Sequence, residues 1–142
     1  MDEQDLIYDW NEIDYEIKRD ESGHPHELWF DDETLRDGLQ SPSARNPTIE
    51  QKIELVDFME SLGIQKVDLG LPGAGPFHIG HIDAMLSHMG ENEYALRPGC
   101  AVRTVVSDIE PLVDLQAKHE RQIQASAFLG TSPIRQYAED WT

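Results

Sequence analysis

Basic residues are scarce in this chain. Eleven Lys and Arg stand against 28 Asp and Glu, a formal net charge of −17. DNA, RNA and anionic membrane surfaces all repel such a chain, so none is expected as a partner. Cysteine is nearly absent: the single Cys100 forbids an internal disulfide and suits a reducing compartment. No apolar run approaches the roughly 18 residues of a membrane span. The N-terminal "MDEQDLIYDW" has neither the basic nor the apolar region of a signal peptide, so a soluble, cytoplasmic protein is expected. The apolar fraction of 39% is low, but the length of 142 residues still allows one ordinary domain with a real core.

What is present is a regular alternation. Residues 1–27 are acidic and read as an extended arm: "LIYDWNEIDYEI" is a short strand or a strap, and "RDESGHPHE" is a turn-rich connector. A first strand runs from about Leu28 to Asp32. A helix follows over "TIEQKIELVDFMESL", with Thr48 as N-cap and Gln51 completing a capping box. Its apolar stripe is Ile49, Ile53, Val56, Phe58, Met59 and Leu62, and Gly63 stops it. "KVDLGL" is a second strand and "PGAGP" a sharp loop. A second helix carries Ile79, Ile82, Met85, Leu86 and Met89 at helical spacing and is expected to end at Gly90. A third strand covers Pro98 to Arg103. The third helix is capped by Ser107 or Asp108, with Pro111 tolerated in its first turn. A fourth strand lies in "RQIQASAFLGTS", and a helix starts in "SPIRQYAEDWT". Strict strand–helix alternation implies parallel strands with helical crossovers, in either an open doubly wound sheet or an eight-unit barrel. A barrel needs about 250 residues, so the chain would hold about half of one.

The stretch "FDDETLRDGLQSPSARNP" packs Asp31, Asp32, Glu33, Arg36, Asp37 and Gln40 at the end of the first strand. Parallel α/β folds place their chemistry at the C-terminal ends of strands. Asp37 beside Arg36 suits a divalent metal next to a guanidinium that can hold a carboxylate or an enolate. A solvated acidic loop with a local ion pair explains the same residues.

"DETLRDGLQ" resembles the signature of the metal-dependent Claisen-type synthases and aldol-type lyases of the barrel fold. That family includes 2-isopropylmalate, homocitrate and citramalate synthases and hydroxymethylglutaryl-CoA lyase, and shares a pyruvate carboxyltransferase domain. "GIQKVDLGLPGAGP", "CAVRTVVSDIEPLVD" and "FLGTSPIRQYAEDW" resemble the family's second, third and fourth strands with their loops. The likeness spans Leu28 to Thr142 and is strongest to the 2-isopropylmalate and homocitrate synthase branch. It implies an α/β fold: a partial TIM (β/α)8 barrel of about four parallel βα units behind an extended arm.

The resemblance also implies a reaction, the attack of an acyl-CoA enolate on the ketone of a 2-oxo acid, with hydrolysis releasing CoA. Its substrates would be acetyl-CoA and a small 2-oxo acid, its cofactor a divalent metal (Mg, Mn or Zn), its assembly a homo-oligomer. By the family pattern Asp37 would ligate the metal, Arg36 would steady the 2-oxo acid, and Gln40 would line the pocket. Asp68 stands where relatives often carry a glutamate, one atom longer. Arg103, Thr131 and Ser132 would face the substrate carboxylate. Many 2-isopropylmalate synthases carry histidines where this chain has Ser126 and Arg135, and the family's late His-x-His pair has no counterpart here. The chain alone is therefore expected not to turn over. The alternatives are a non-catalytic half-barrel that assembles with itself or a partner, and a truncated inactive product.

Three other features read more plainly. His24 and His26 lie in the turn-rich arm, and His78 and His81 lie i, i+3 on the second helix. Both pairs are expected at the surface or an interface, because no third ligand is evident. "GLPGAGP" fits neither the dinucleotide fingerprint nor the P-loop, and is expected as a tight turn passing close to the pocket. Cys100 is expected as a small core residue, not a nucleophile.

Overall fold

Each strand of the sheet lies beside the next one in the chain. β1 (Asp31–Asp32), β2 (Lys66–Asp68), β3 (Arg97–Arg103) and β4 (Gln124–Phe128) form one sheet in the order β1-β2-β3-β4. All three pairings are parallel, with Asp32 opposite Val67, Val67 opposite Pro98, and Cys100 opposite Ala125. A doubly wound sheet reverses its strand order at a switch point; this sheet does not, which is the order of a barrel arc. The computed structural model describes residues 6–7 and 29–141. All of the strap beyond Leu6 and Ile7, the connector, the His24 and His26 pair and the start of the first strand at Leu28 lie outside the described residues.

The described residues divide into two units. One is Trp29–Phe128, with all four strands and three helices; the other includes Leu129–Trp141. The first strand is shorter than expected, because only Asp31 and Asp32 pair with β2.

α1 (Ile49–Ser61) begins as its sequence directs. Gln51 N–H donates to Thr48 Oγ1 at 3.4 Å, and Thr48 N–H donates to Gln51 Oε1 at 3.0 Å. It ends in a Schellman turn: Gly63, at φ 73°, donates to the Glu60 carbonyl, and Ile64 donates to that of Met59. The expected stripe is only partly right. Val56 and Met59 are buried, whereas Phe58 and Leu62 face solvent. Lys52 takes the place they leave, three residues after Ile49 and four before Val56.

α2 (Pro76–Glu91) buries Ile82, Met85, Leu86 and Met89. It does not stop at Gly90. The same Schellman pattern is set one turn later, with Glu93 at φ 54° as the left-handed residue and Tyr94 N–H donating to the Met89 carbonyl. Gly90 supplies the inner carbonyl of that turn, accepting from Glu93.

α3 (Val106–His119) differs at its start. Val105 is its N-cap and gives no side-chain cap. Ser107 and Asp108 lie inside the first turn, and the Asp108 carboxylate turns back to Arg103 instead. Pro111 sits in the second turn, where its missing N–H leaves the Ser107 carbonyl without its helical partner.

The core lies between the sheet and these helices. Val56, Val67, Ile82, Met85, Leu86, Met89, Leu96, Cys100 and Val102 are essentially inaccessible, and burial of each large apolar side chain stabilises by about 1.5–3 kcal/mol. β3 is buried on both faces from Pro98 to Val102, as parallel strands are. Cys100 is the core residue expected, and burial pushes its thiol pKa far up. No helix among the described residues is long and apolar enough to cross a membrane.

In the second unit α4 (Pro133–Ala138) starts at Ser132, whose Oγ accepts from Arg135 N–H at 3.3 Å. Gln136 Nε2 donates to the Thr131 carbonyl at 2.6 Å.

Candidate functional site

The C-terminal ends of β1 and β2 carry the charged stretch. The Asp32 carboxylate accepts from Thr34 N–H at 2.8 Å and turns the chain as β1 ends. The Glu33 carbonyl then accepts from Arg36 N–H and Gly38 N–H, coiling the loop tightly. Leu35 is buried and anchors that coil. Arg36 is thereby held in place over the strand ends.

Three carboxylates surround its guanidinium. Arg36 Nε donates to Glu33 Oε2 at 2.8 Å, and Nη2 lies 2.6 Å from the same oxygen. Nη1 lies 3.3 Å from Asp37 Oδ1. Asp68 Oδ2, from the last residue of β2, stands 3.6 Å from Nε, too far for a hydrogen bond. Arg36, Asp37 and Asp68 are thus brought together, with Glu33, named from the sequence only as part of the charged stretch, as a fourth member.

Asp68 is the unusual group. It is 2% exposed, and its Oδ1 accepts from Gly70 N–H at 2.9 Å. Its Oδ2 is buried and has no hydrogen-bond partner among the described residues. Burial pushes its pKa up to about 6; the Gly70 N–H opposes this, Glu33 adds to it, and Arg36 opposes it again. A buried, unpaired carboxylate oxygen costs stability and marks a functional-site candidate.

Arg103 ends β3 and is committed to Asp108. Nε donates to Asp108 Oδ2 at 2.8 Å and Nη2 to Oδ1 at 2.7 Å, while the Arg103 backbone N–H donates to Oδ2 at 3.0 Å. These bonds hold the Asp108 carboxyl below its usual range and raise the Arg103 guanidinium. The "PGAGP" loop serves this pair. It forms a 3-10 turn over Pro72–Ala74, and a Cβ on Gly73 would overlap the Asp108 carboxylate. That glycine passes close to the buried carboxylate of the pair.

Behind Arg36 lies a cavity of about 230 Å³. Its polar lining is Arg36, Gln40, Asn46, Lys52, His78 and His81, so Gln40 does share a pocket with Arg36. His78 and His81, expected at the surface or an interface, line this cavity, and His81 Nδ1 is buried without a partner among the described residues. Lys52 is 4% exposed, and burial lowers its pKa. The signal for Lys52 was in the sequence: it is the charged residue inside the apolar stripe of α1. Thr131 and Ser132 lie in the second unit.

Among the described residues no three His, Cys, Asp or Glu side chains converge as a metal site. Asp37 offers one carboxylate, two-thirds exposed and partnered by Arg36. A divalent ion takes several oxygen or nitrogen ligands, so these residues alone do not fit one.

A model of the HMGL-like family matches residues 27–138. The chain belongs to the HMGL-like family. Its four parallel strands and their helices are accordingly part of a TIM barrel. It is 30% identical over 114 residues to a 2-isopropylmalate synthase of Sediminispirochaeta smaragdinae, covering 80% of this chain and 21% of that protein. It is 35% identical over 92 residues to a homocitrate synthase of Methanopyrus kandleri, covering 63% of this chain and 21% of that protein. A 2-isopropylmalate synthase of Nitrobacter winogradskyi is 32% identical over 103 residues, covering 72% of this chain and 19% of that protein. This HMGL-like chain spans about a fifth of the length of these curated relatives. No solved structure is a significant match.

Proposed function

We propose that this HMGL-like chain supplies part of an active site that condenses an acyl-CoA with a 2-oxo acid in the cytoplasm. The observation that carries the reading is the Arg36 hub: a guanidinium fixed by Glu33 and Asp37, beside the unpaired Oδ2 of Asp68, at the C-terminal strand ends. Arg36 binds the 2-oxo acid through a carboxylate or ketone oxygen, exchanging its exposed partner Asp37 for the ligand. In the condensation a base takes a proton from the α-carbon of the acyl-CoA, the resulting enolate carbon bonds to the ketone carbon as its C=O π bond opens, and the ketone oxygen takes the negative charge and then a proton. Arg36 stabilises that oxygen electrostatically. Water then cleaves the thioester and releases CoA. Asp68, poised near neutrality, is placed to hold or release a proton beside Arg36. Gln40 lines the pocket, and Arg103 is proposed to meet the substrate carboxylate with the exposed side of its guanidinium while keeping its bonds to Asp108. Thr131 and Ser132 of the second unit are proposed as substrate-binding residues. The divalent metal implied by the resemblance would take Asp37 as one ligand and its remaining donors from outside the described residues, and would polarise the ketone as a Lewis acid.

The test is binding of a 2-oxo acid such as 2-oxoisovalerate to the full chain, followed by NMR. The expected result is saturable binding, weakened at least tenfold by Arg36→Gln. Equal affinity in the variant, or no binding to the parent chain, contradicts the role of Arg36. Turnover by the chain alone is expected to be absent, and steady CoA release from acetyl-CoA and a 2-oxo acid would contradict the incomplete site.

Assembly with itself or a partner is favoured by one feature. α3 presents Val106, Ile109 and Val113 at helical spacing, 68%, 41% and 55% exposed. Such a stripe fits a contact with another copy or another part of a barrel.

A further inference from the structure

The cavity behind Arg36 has a one-sided chemistry. Its lining includes two cations, two histidines and two side-chain amides, and no Asp or Glu. Arg36 is already matched by Glu33 and Asp37. Lys52 is not matched: its ammonium makes no hydrogen bond or ion pair among the described residues, although the residue is 4% exposed. A buried charge without a partner is costly, and proteins normally pair it or neutralise it. On the same lining His81 Nδ1 is buried and has no partner among the described residues. Burial first, and then Lys52 and His78, disfavour a positive charge on His81, and all three groups line the same cavity. The acid whose field reaches His81 is Glu50, an exposed residue in the first turn of α1 that does not line the cavity. Two buried polar groups without partners among the described residues therefore line one space; Lys52 can only donate, and His81 Nδ1 donates when the neutral ring carries its proton there.

The size of the space narrows the ligand. About 230 Å³ is room for roughly seven waters at about 30 Å³ each. That is below the roughly 300–1,000 Å³ of pockets that enclose a drug-sized ligand. It suits a single carboxylate or phosphate group and excludes a whole nucleotide.

We propose that this cavity is an oxyanion subsite, in which the Lys52 ammonium pairs with a carboxylate or phosphate group and neutral His81 donates to it from Nδ1. The Asn46 and Gln40 amides stand on the same lining and can hydrogen-bond the remaining oxygens. Bound there, the anion supplies the counter-charge that the fold withholds from Lys52. The subsite shares Arg36 and Gln40 with the pocket read for the 2-oxo acid, but its test uses neither a 2-oxo acid nor a CoA ester and reads Lys52 and His81, so either reading can fail alone.

The experiment is a titration of the full chain, labelled with ¹⁵N-histidine, at fixed pH and ionic strength. Inorganic phosphate is one probe, acetate the other, and sodium chloride holds the ionic strength. Long-range ¹H–¹⁵N spectra report the His81 ring nitrogens. The expected result is a saturable shift of His81 with at least one probe, and a dissociation constant at least tenfold weaker in Lys52→Met, which keeps the side chain's bulk. Saturation by phosphate alone assigns a phosphoryl ligand, and saturation by acetate alone assigns a carboxylate. No saturation with either probe, or equal affinity in Lys52→Met, overturns the proposal. Should Lys52→Met not fold, His81→Asn is compared by thermal unfolding. The parent midpoint should rise with the binding probe relative to chloride, and an equal rise in His81→Asn overturns the proposal.

Discussion

At the N-terminal ends of the strands, polar groups meet partners. The Glu60 carboxylate, at the end of α1, accepts from Ala95 N–H at 3.0 Å and Leu96 N–H at 2.8 Å. Arg121 donates to the Tyr94 and Leu96 carbonyls at 2.8 and 2.7 Å. Asp57 Oδ1 binds His88 Nε2 at 2.7 Å and Tyr94 OH at 2.8 Å, tying α1 to α2. At the C-terminal ends the pattern changes. The two buried side-chain atoms without partners among the described residues, Asp68 Oδ2 and His81 Nδ1, both lie there. So does the unpaired Lys52. One end of the sheet spends its polar groups on holding the chain together, and the other keeps several in reserve for something that binds. This division matches the general rule that barrels carry stability at the bottom and chemistry at the top.

Substitutions can break or sharpen that contrast. The largest effect is expected from Asp68→Asn, and it should stabilise. Asp68 has a folded pKa of about 6, above its ordinary 3.8. Ionising it therefore costs stability: the penalty is absent below about pH 3.8, builds up to about pH 6, and is complete above. The penalty is about 3 kcal/mol. Asparagine keeps the acceptor for Gly70 N–H and removes the charge. Urea unfolding should show the full gain at pH 8 and almost none near pH 3.5. A gain that is the same at both pH values would mean the burial penalty is not the cause.

Gly73→Ala comes next and runs the other way. Its Cβ would meet the Asp108 carboxylate, which is fully covered and held by three bonds from Arg103. Overpacking of this kind costs about 2.5 kcal/mol, read as a fall in the urea midpoint. An unchanged midpoint would show that the loop yields freely.

Glu60→Ala attacks the bottom. It strands two backbone N–H groups, that of Leu96 beside the core, and should cost about 2 kcal/mol with no effect on 2-oxo acid binding. Loss of binding in that variant would blur the contrast between the two ends. The smallest effect is expected at Glu93, which adopts φ 54° at the end of α2. Glu93→Gly should stabilise by about 0.5 kcal/mol, because glycine takes the left-handed conformation without strain. A lowered thermal midpoint would contradict this.

Much of the fold was legible in local signals. The Thr48 and Gln51 capping box and the Gly63 stop define α1 from sequence alone. The apolar spacing of α2 is buried as read, from Ile82 to Met89. Where a local rule failed, a tertiary demand had overridden it. Gly90 did not end α2, because the chain could run on and let Glu93 make the turn. Asp108 did not cap α3, because Arg103 offered it a bidentate partner. Phe58 and Leu62 were placed in the stripe by their apolarity, while Lys52 was passed over for its charge. The site was legible in part for the same reason. Arg36 and Asp37 are adjacent in sequence, but the approach of Asp68 depends on the β1–β2 register, and the gathering of Lys52 with His81 depends on how α1 and α2 lie over the sheet.

The measurement that bears most directly on the divided sheet is the titration of the Asp68 carboxyl, followed by ¹³C NMR with and without a saturating 2-oxo acid. The account predicts a midpoint near 6 in the free chain and a clear displacement when the ligand occupies Arg36. A midpoint near the ordinary 3.8, unmoved by the ligand, would mean that the C-terminal end holds no reserved group and that the contrast between the two ends is not real.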